Sequence, residues 1–203
     1  MVVVDLIFSL TTKQTQEMFL YAASQMAEKR PLLTQLDRDM GDGTYGMELA
    51  IGFGAVWDNL SKQESLYIND IFKNSGAAML AVARGAGGVI FGNLLLGGVI
   101  GMPILKVINL RQLATIFTTS LQTVKERDGA NIGGATIIDT FELAVVAFVH
   151  SVHEGDTLLQ ALYVAEFGAQ EGMDAFQDSG ATSVWLFFKA MREWVTSLES
   201  KTI

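Results

Sequence analysis

The sequence contains no cysteine and few charged residues, and both shortages narrow the chemistry available to it. Without cysteine among its 203 residues, the chain has no disulfide, no thiolate metal site and no thiol nucleophile. Lysine and arginine total 14 against 22 acidic residues, which gives a net charge of −8. A nucleic-acid backbone needs a basic face, so we predict no nucleic-acid partner. Nucleotides remain compatible, because a bound divalent cation supplies local positive charge.

Charge is missing altogether from residues 85–105, a run about long enough to cross a bilayer. This run carries seven glycines together with Asn93 and Pro103, and no aromatic residue anchors its ends. We therefore predict a buried helix packed through glycine, with a membrane span as the weaker alternative. The N-terminal MVVVDLIF has no positively charged region, and Asp5 interrupts its apolar residues, so we do not expect a signal peptide. The expectation is a cytoplasmic protein without a membrane partner.

Hydrophobic residues recur with helical spacing along nearly the whole chain. Strand signals are confined to residues 2–8, and no linker rich in proline or serine divides the sequence. We predict one all-α domain, residues 1–203, with about eight helices and short connections. Asn109 is the predicted N-cap of a helix that stops at Asp128, and Asp156–Thr157 start another that reaches Gln170. The other helical patterns cover residues 13–28, 31–40, 45–60, 65–83, 138–154 and 181–198.

Two carboxylates flank a glycine turn between two of these predicted helices. Asp37 lies in the last turn of the first helix, and Asp42 follows Gly41 just before the second. Both side chains can point into the gap, and Mg²⁺ takes oxygen ligands together with water or phosphate oxygens. The spacing favours a magnesium and phosphate site as one hypothesis. The other is a solvated turn in which Asp42 caps the following helix.

Residues 34–54, TQLDRDMGDGTYGMELAIGFG, resemble the DhaL family, the nucleotide-binding subunit of dihydroxyacetone kinase. The family pattern in this segment is roughly L-D-x-x-I-G-D-[GA]-D-H-G-x-N-M. Its three aspartates hold two Mg²⁺ ions that bind the β- and γ-phosphates of the nucleotide. The resemblance implies that Asp37 and Asp42 are metal ligands.

Gly46 matches the glycine that follows the histidine in this pattern, but the chain departs from the pattern at three positions around it. Thr44 replaces the third aspartate, Tyr45 the usual histidine and Glu48 an asparagine. We expect the lost carboxylate to weaken at least one metal site. Thr44 is also a good N-cap residue. Glu48 either swings back to restore the missing charge or simply favours the positive end of the helix dipole.

A second segment, residues 83–92 or ARGAGGVIFG, has the free backbone N–H groups that make an anion cradle at a helix start. It lacks the preceding strand of a dinucleotide fingerprint. It resembles G-G-A-S-G-x-L-[FY]-G of DhaL and A-R-G-N-S-G-V-I-L of fatty-acid kinase, with Gly87 in place of serine. The resemblance assigns Ala86, Gly87 and Gly88 to the phosphates. The alternative is that these glycines only let two helices pack closely.

Two later segments complete the resemblance. Residues 129–137 are similar to the DhaL stretch P-G-D-K-T-M, which packs near the adenine and ribose of the nucleotide. The resemblance therefore implies that Thr136 and Ile137 bind the nucleotide. The alternative is a glycine-rich loop before a threonine-capped helix. Residues 178–184 are similar to D-P-G-A-T-S, which implicates Asp178 and Gly180. The DhaL family carries a long basic lid before this last motif, whereas residues 166–177 contain no basic residue. Kinases place cationic groups on the transferred phosphoryl group, and this chain supplies few.

His150 and His153 are spaced to share one helical face, with Glu154 and Asp156 nearby. A zinc site is one interpretation of this spacing. Histidines in a last helical turn more often complement the helix dipole.

As a whole, the resemblance implies an up-and-down antiparallel eight-helix barrel that binds ADP or ATP through Mg²⁺. It assigns no catalytic residue to this chain. The phosphoryl group would pass to dihydroxyacetone on a partner subunit, with a phosphocarrier subunit in one form of the system, and a homodimer is left open. One alternative is a degenerate paralogue that acts as a binding or regulatory protein. Another is the nucleotide domain of a fatty-acid-kinase-like system with a lipid-binding partner.

Overall fold

The protein is described here from a computed structural model that covers residues 6–62, 64–128 and 135–201. Helices dominate these ranges, which confirms the predicted all-α class. The elements are β1 (Ser9–Thr11), α1 (Thr12–Glu28), α2 (Arg30–Met40), α3 (Tyr45–Leu60), α4 (Ile68–Val82), α5 (Ala86–Gly97), β2 (Val107–Asn109), α6 (Leu110–Asp128), α7 (Ala135–Glu154), α8 (Leu158–Phe176) and α9 (Ser179–Lys201).

Reciprocal caps set the starts of several helices. Asn109 Oδ1 accepts from the backbone N–H of Gln112 at 2.9 Å, and Gln112 Oε1 accepts from the N–H of Asn109 at 2.9 Å. Thr157 and Gln160 form the same arrangement at the start of α8. Such a cap contributes about 1 kcal/mol to helix stability. Both predicted starts are confirmed, while α8 continues beyond its predicted end at Gln170 to Phe176.

Eight of the helices close into a ring. Each helix from α3 to α8 packs on the next helix in the chain. The ring closes because α9 packs on α1 and α1 packs on α3. The remaining helix, α2, lies outside the ring and packs mainly on α3 and α9. The predicted up-and-down eight-helix barrel is therefore confirmed, with α2 as an additional helix. Because the direction alternates around the ring, the α2–α3, α4–α5 and α8–α9 connections and the start of α7 share one end.

Aromatic side chains fill the interior of this barrel. Phe117 packs edge-to-face on Phe141, Phe148 and Phe188, with ring centroids between 5.2 and 6.2 Å apart. Each buried phenyl ring contributes roughly 1.5–3 kcal/mol by leaving water. The void left among the interior rings measures only about 10 Å³. These rings are therefore closely packed, and the sequence motifs direct attention to the loops at the ends of the barrel.

The uncharged run forms a buried helix rather than a span. Its helical part is α5, twelve residues long, and the chain leaves the helix after Gly98. A Cβ on Gly76 of α4 would lie 2.6 Å from the carbonyl oxygen of Gly92, so the two helices touch through glycine. This confirms the predicted glycine packing. Among the described residues, one helix, Thr136–Glu154, is long and apolar enough to cross a membrane by length and composition, and half of its apolar window is buried.

A two-stranded ladder was not predicted. Strands β1 and β2 pair antiparallel, with Leu10 opposite Ile108, and both of these side chains are buried. Of residues 2–8, where the weak strand signal lies, residues 6–8 form no strand and residues 2–5 lie outside the described ranges. Three-residue strands are too short to produce a readable alternation in the sequence.

Candidate functional site

Asp37 joins three helices at the end where the sequence motifs meet. Its Oδ2 accepts from the backbone N–H of Tyr45 at 3.1 Å, and its carbonyl oxygen accepts from the N–H of Gly41 at 2.6 Å. The hydroxyl of Ser179, the first residue of α9, lies 3.5 Å from Oδ1. A carboxylate at the start of α3 is stabilised by the helix dipole. Asp37 thus closes α2 onto α3 and keeps one oxygen only weakly bonded.

Asp42 is held by a local turn. Its Oδ1 accepts from the backbone N–H of Thr44 at 2.9 Å and from the Thr44 hydroxyl at 2.7 Å. These two bonds, the hydroxyl first, lower the pKa of the exposed Asp42 carboxyl. The expected cap by Thr44 is wrong, because Thr44 has helical backbone angles and its side chain makes no capping bond to α3. Its hydroxyl keeps Asp42 ionised instead.

The carboxylates of Asp37 and Asp42 suit a hard cation only if further oxygen ligands come from water or a phosphate. Both carboxylates offer oxygen, the ligand type that Mg²⁺ prefers. Within residues 6–62, 64–128 and 135–201, no three His, Asp or Glu side chains are grouped closely enough to hold a metal ion. Two carboxylates therefore need water or phosphate oxygens to complete a magnesium shell. The histidine pair considered as a zinc site likewise has no such group around it in the described ranges. His150 Nδ1 lies 3.8 Å from the Glu154 carboxylate in an exposed pair.

Arg38 brings positive charge to the turn, and the sequence interpretation overlooked it. Gly43 adopts a φ of +76°, and a Cβ there would lie 2.7 Å from Arg38 Cγ and 3.4 Å from Arg38 Nε. The arginine stem therefore crosses the turn next to Asp42. A guanidinium can pair with an anion at this end of the barrel. The only sequence signal was a basic residue in the last turn of α2.

Tyr45 connects the first turn of α3 to α5 and α9. A Cβ on Gly87 would lie 2.5 Å from Tyr45 Cε2, so the ring covers the first turn of α5. The phenol oxygen lies 2.8 Å from Ser183 Oγ, whose own hydrogen bonds the carbonyl oxygen of Gly180 at 2.6 Å. Tyr45 is therefore the donor to Ser183. Burial, followed by the charges of Asp178 and Asp37, raises the pKa of the Tyr45 phenol well above its ordinary value.

Glu48 lies against the glycine turn that precedes α5. A Cβ on Gly85 would fall on the Glu48 carboxylate, 2.7 Å from its Cδ. Gly85 is the N-cap of α5 and makes no side-chain capping bond, and the first turn of α5 has no acidic residue of its own. The dipole that Glu48 meets is thus that of α5.

The remaining predicted residues fall into packing and capping positions around these two turns. Gly46 is buried under α2, since a Cβ there would lie 2.5 Å from the Arg30 carbonyl oxygen. Ala86 is the first residue of α5, and a Cβ on Gly88 would lie 3.1 Å from the Ala83 methyl group. Their backbones are brought to the same end as the aspartate turn.

The third and fourth motifs also meet there. A Cβ on Gly180 would lie 2.9 Å from both Thr136 Oγ1 and Ile137 Cγ1. Asp178 caps α9, with its Oδ1 accepting from the N–H of Ala181 at 2.7 Å. Thr136 lies inside α7, which begins at Ala135, and Ile137 is 2% exposed within the core. The glycine-rich part of the third motif, residues 129–134, lies outside the described ranges.

Between α8 and α9 the chain has room for only a short connection. It consists of Gln177, with a φ of +52°, and Asp178. No lid segment is inserted here, in agreement with the short interval noted in the sequence.

The closed ring defines the class of the protein: an all-α barrel, in which the predicted site residues lie at one end. Within this class, the chain belongs to the DAK2 domain family, which matches residues 39–177. The match begins two positions after Asp37, so Asp37 is placed in the site by its contacts with Tyr45 and Ser179.

Relatives and solved structures agree with this assignment. The chain is 26% identical to the ADP-binding subunit DhaL of PEP-dependent dihydroxyacetone kinase 1 from Listeria innocua, over 82% of this chain and 88% of the relative. It is 27% identical to the ADP-binding subunit DhaL from Escherichia coli, over 78% of this chain and 85% of the relative.

The dihydroxyacetone kinase from C. freundii, solved in complex with AMP-PNP and Mg²⁺, shares the fold with a TM-score of 0.70 at 20% identity. That alignment covers 95% of this chain and 36% of the kinase. The chain therefore spans about a third of that longer protein.

Proposed function

We propose that this chain is the nucleotide-binding subunit of a dihydroxyacetone kinase system and binds ADP or ATP together with Mg²⁺. The observation that carries the proposal is the turn between α2 and α3, where Asp37 and Asp42 each keep an oxygen available beside Arg38. The relatives named as ADP-binding DhaL subunits support the nucleotide, and the kinase solved with AMP-PNP and Mg²⁺ supports the metal.

Each residue of the turn has a separate task in this proposal. Asp37 and Asp42 would hold Mg²⁺, which neutralises charge on the nucleotide phosphates when bound. Thr44 keeps Asp42 ionised by donating two hydrogen bonds to it. Arg38 adds positive charge, which offsets part of the repulsion between phosphates and the acidic chain. Thr136 and Asp178 lie at the same end and would border the nucleoside.

The chain itself contributes no nucleophile, because phosphoryl transfer depends mainly on positioning and charge stabilisation. The acceptor, dihydroxyacetone, would be held on a partner subunit, and a phosphocarrier subunit would supply the phosphoryl group. The Listeria innocua and Escherichia coli relatives are named as subunits of PEP-dependent kinases, which supports this division of labour. We place the complex in the cytoplasm.

A second candidate function is that of a binding or regulatory paralogue that no longer transfers phosphate. Thr44 leaves the turn with two carboxylates, and Tyr45 and Glu48 lie against Gly87 and Gly85 at the start of α5. Residues 166–177 also supply no cation for a transferred phosphoryl group.

Reconstitution separates these two candidates. The chain would replace the ADP-binding subunit in the purified Escherichia coli kinase, and dihydroxyacetone phosphate would be measured with wild type, Asp42→Asn and Asp39→Asn. Asp39 is an exposed neighbour on α2 and serves as the matched control. Product that requires Asp42 but tolerates Asp39→Asn supports the first candidate. Nucleotide binding without product supports the second, provided that the foreign subunits form a complex with this chain in a co-sedimentation control.

A further inference from the structure

We propose that Glu48 is a built-in occupant of the glycine turn before α5, which the phosphates of an incoming nucleotide must displace. The inference rests on the proposed function, since it concerns how the same site admits its ligand. It assigns Glu48 a role opposite to that of a metal ligand: the carboxylate lowers nucleotide affinity rather than raising it.

The geometry that carries this inference is a matched pair of contacts. Tyr45 and Glu48 lie one turn apart on α3. Each faces a glycine at the start of α5, and these two glycines are two positions apart in the chain. The Tyr45 ring covers Gly87, and the Glu48 carboxylate covers Gly85. A side chain at either glycine would overlap with its partner. The first turn of α3 therefore fills the space above the start of α5.

Electrostatics explains why a carboxylate lies there. The first amides of α5 have no side-chain cap, and the first turn of α5 carries no acidic residue. An anion is stabilised at such a helix start by the dipole and by free N–H groups. A phosphate is stabilised at the same place for the same reason. Glu48 and a phosphate are therefore competitors for one positive region.

The competition sets the direction and the size of the expected effect. Two unit charges about 4 Å apart in water repel by an amount that corresponds to roughly a fivefold change in an equilibrium constant. Removing the Glu48 charge should raise affinity by at least that factor. The gain should be larger for free ADP than for the Mg²⁺ complex, because magnesium already neutralises part of the phosphate charge.

The first test is calorimetric titration of ADP, with Mg²⁺ or with chelator, into wild type, Glu48→Gln, Glu64→Gln and Asp42→Asn. Glu64 is an exposed residue in the α3–α4 connection and controls for the loss of one negative charge. We expect Glu48→Gln to bind at least about fivefold more tightly, Glu64→Gln to match wild type and Asp42→Asn to lose the magnesium dependence. If wild type binds ADP with magnesium dependence but Glu48→Gln binds it equally or more weakly, the inference is overturned and the proposed function stands.

The two failures are distinguishable in the same titrations. If Glu48→Gln gains affinity while magnesium and Asp42→Asn have no effect, the inference stands and the proposed magnesium site fails. If no variant binds ADP under any condition, both fail.

A second test examines the contact without any nucleotide. Gly85→Ala should lower the melting temperature of the wild type, because the new methyl group displaces the Glu48 carboxylate from the start of α5. The drop should be smaller in a Glu48→Ala background, where only the poorer N-cap propensity of alanine at residue 85 remains. Equal drops in both backgrounds would show that the carboxylate does not lie over Gly85 and would overturn the inference.

Discussion

Tyr45 lies across Gly87 so closely that a Cβ at residue 87 would come within 2.5 Å of the tyrosine ring. The DhaL pattern carries histidine and serine at these two positions. A serine at residue 87 would overlap with the Tyr45 ring, so the two departures depend on each other. The phenol also reaches Ser183, 138 positions away in the chain, which anchors the ring on α9. The change at this end of the barrel is therefore a repacking in which one substitution accommodates the other.

Gly87→Ala should destabilise the protein although alanine is the better helix former. We expect a loss of about 1–3 kcal/mol from overpacking against the Tyr45 ring. In a Tyr45→Ala background the same substitution should become neutral or stabilising. Urea unfolding of the four proteins in this cycle measures the coupling.

Gly54→Ala is the control for that cycle, because Gly54 lies inside α3 and a Cβ there meets nothing within 4 Å. It should stabilise by about 0.5–1 kcal/mol through helix propensity. Independent, additive effects at Tyr45 and Gly87 would contradict the packing described above.

Tyr45→Phe should remove the hydrogen bond to Ser183 and lower the unfolding free energy by about 1 kcal/mol at neutral pH. It should also change the response to alkali. The folded protein raises the pKa of the Tyr45 phenol, so the unfolded chain releases this proton first as the pH rises past the ordinary tyrosine value. This stabilising contribution is fully present below that value and is lost above it.

Urea unfolding between neutral pH and about pH 11 checks this sign, since free tyrosine titrates near 10. Wild type should lose stability more steeply than Tyr45→Phe above that value. Because Tyr21 titrates in both proteins, the difference between the two curves isolates Tyr45. Parallel curves would mean that Tyr45 is not buried as described.

Thr44→Asp restores the third aspartate of the DhaL pattern. It should raise the affinity for Mg²⁺–ADP by about tenfold, because ligand charge sets the affinity of oxygen-ligand cation sites. Without metal it should lower stability, since the new carboxylate replaces a hydroxyl that donates to Asp42 at 2.7 Å. Calorimetry and thermal melts with and without Mg²⁺ measure both effects. Thr44→Asn is the uncharged control, and an equal gain with asparagine would rule out the charge as the cause.

Gly46→Ala should be among the most damaging glycine substitutions at this end of the barrel. A Cβ at Gly46 would lie 2.5 Å from the carbonyl oxygen of Arg30 and 2.5 Å from the backbone nitrogen of Thr34. Backbone cannot rotate away as a side chain can, so α2 would have to lift from α3. We expect a loss of about 3 kcal/mol, at the upper end of overpacking effects. A melting temperature equal to that of Gly54→Ala would contradict the close packing of α2.

Much of the fold was readable from the sequence because its signals are local. Helical spacing and caps such as Asn109 depend on residues three or four positions apart, and the predicted bounds agree with the structure at most ends. The additional helix α2 was part of the pattern, but its place outside the ring depends on packing that no local signal encodes. The ladder between β1 and β2 was missed because each strand has only three residues.

The candidate site could be predicted only in part, because local motifs do not show which distant residues come into contact. The motifs named loops that the structure brings to one end of the barrel, where Asp37 and Asp42 flank the turn between α2 and α3. The contacts of Tyr45 with Ser183 and of Glu48 with Gly85 join distant segments, so no spacing rule reveals them. Thr44 was assigned as a cap from its residue type, whereas the geometry directs its hydroxyl to Asp42.

Titration calorimetry of ADP and ATP, with and without Mg²⁺, is the most direct test of the proposed nucleotide site. It compares wild type with Asp42→Asn and with the exposed control Asp39→Asn. The account predicts magnesium-dependent binding that Asp42→Asn abolishes and Asp39→Asn leaves unchanged. No heat with either nucleotide, in a folded wild-type protein, would contradict the account and leave a DAK2-family barrel that binds a different ligand.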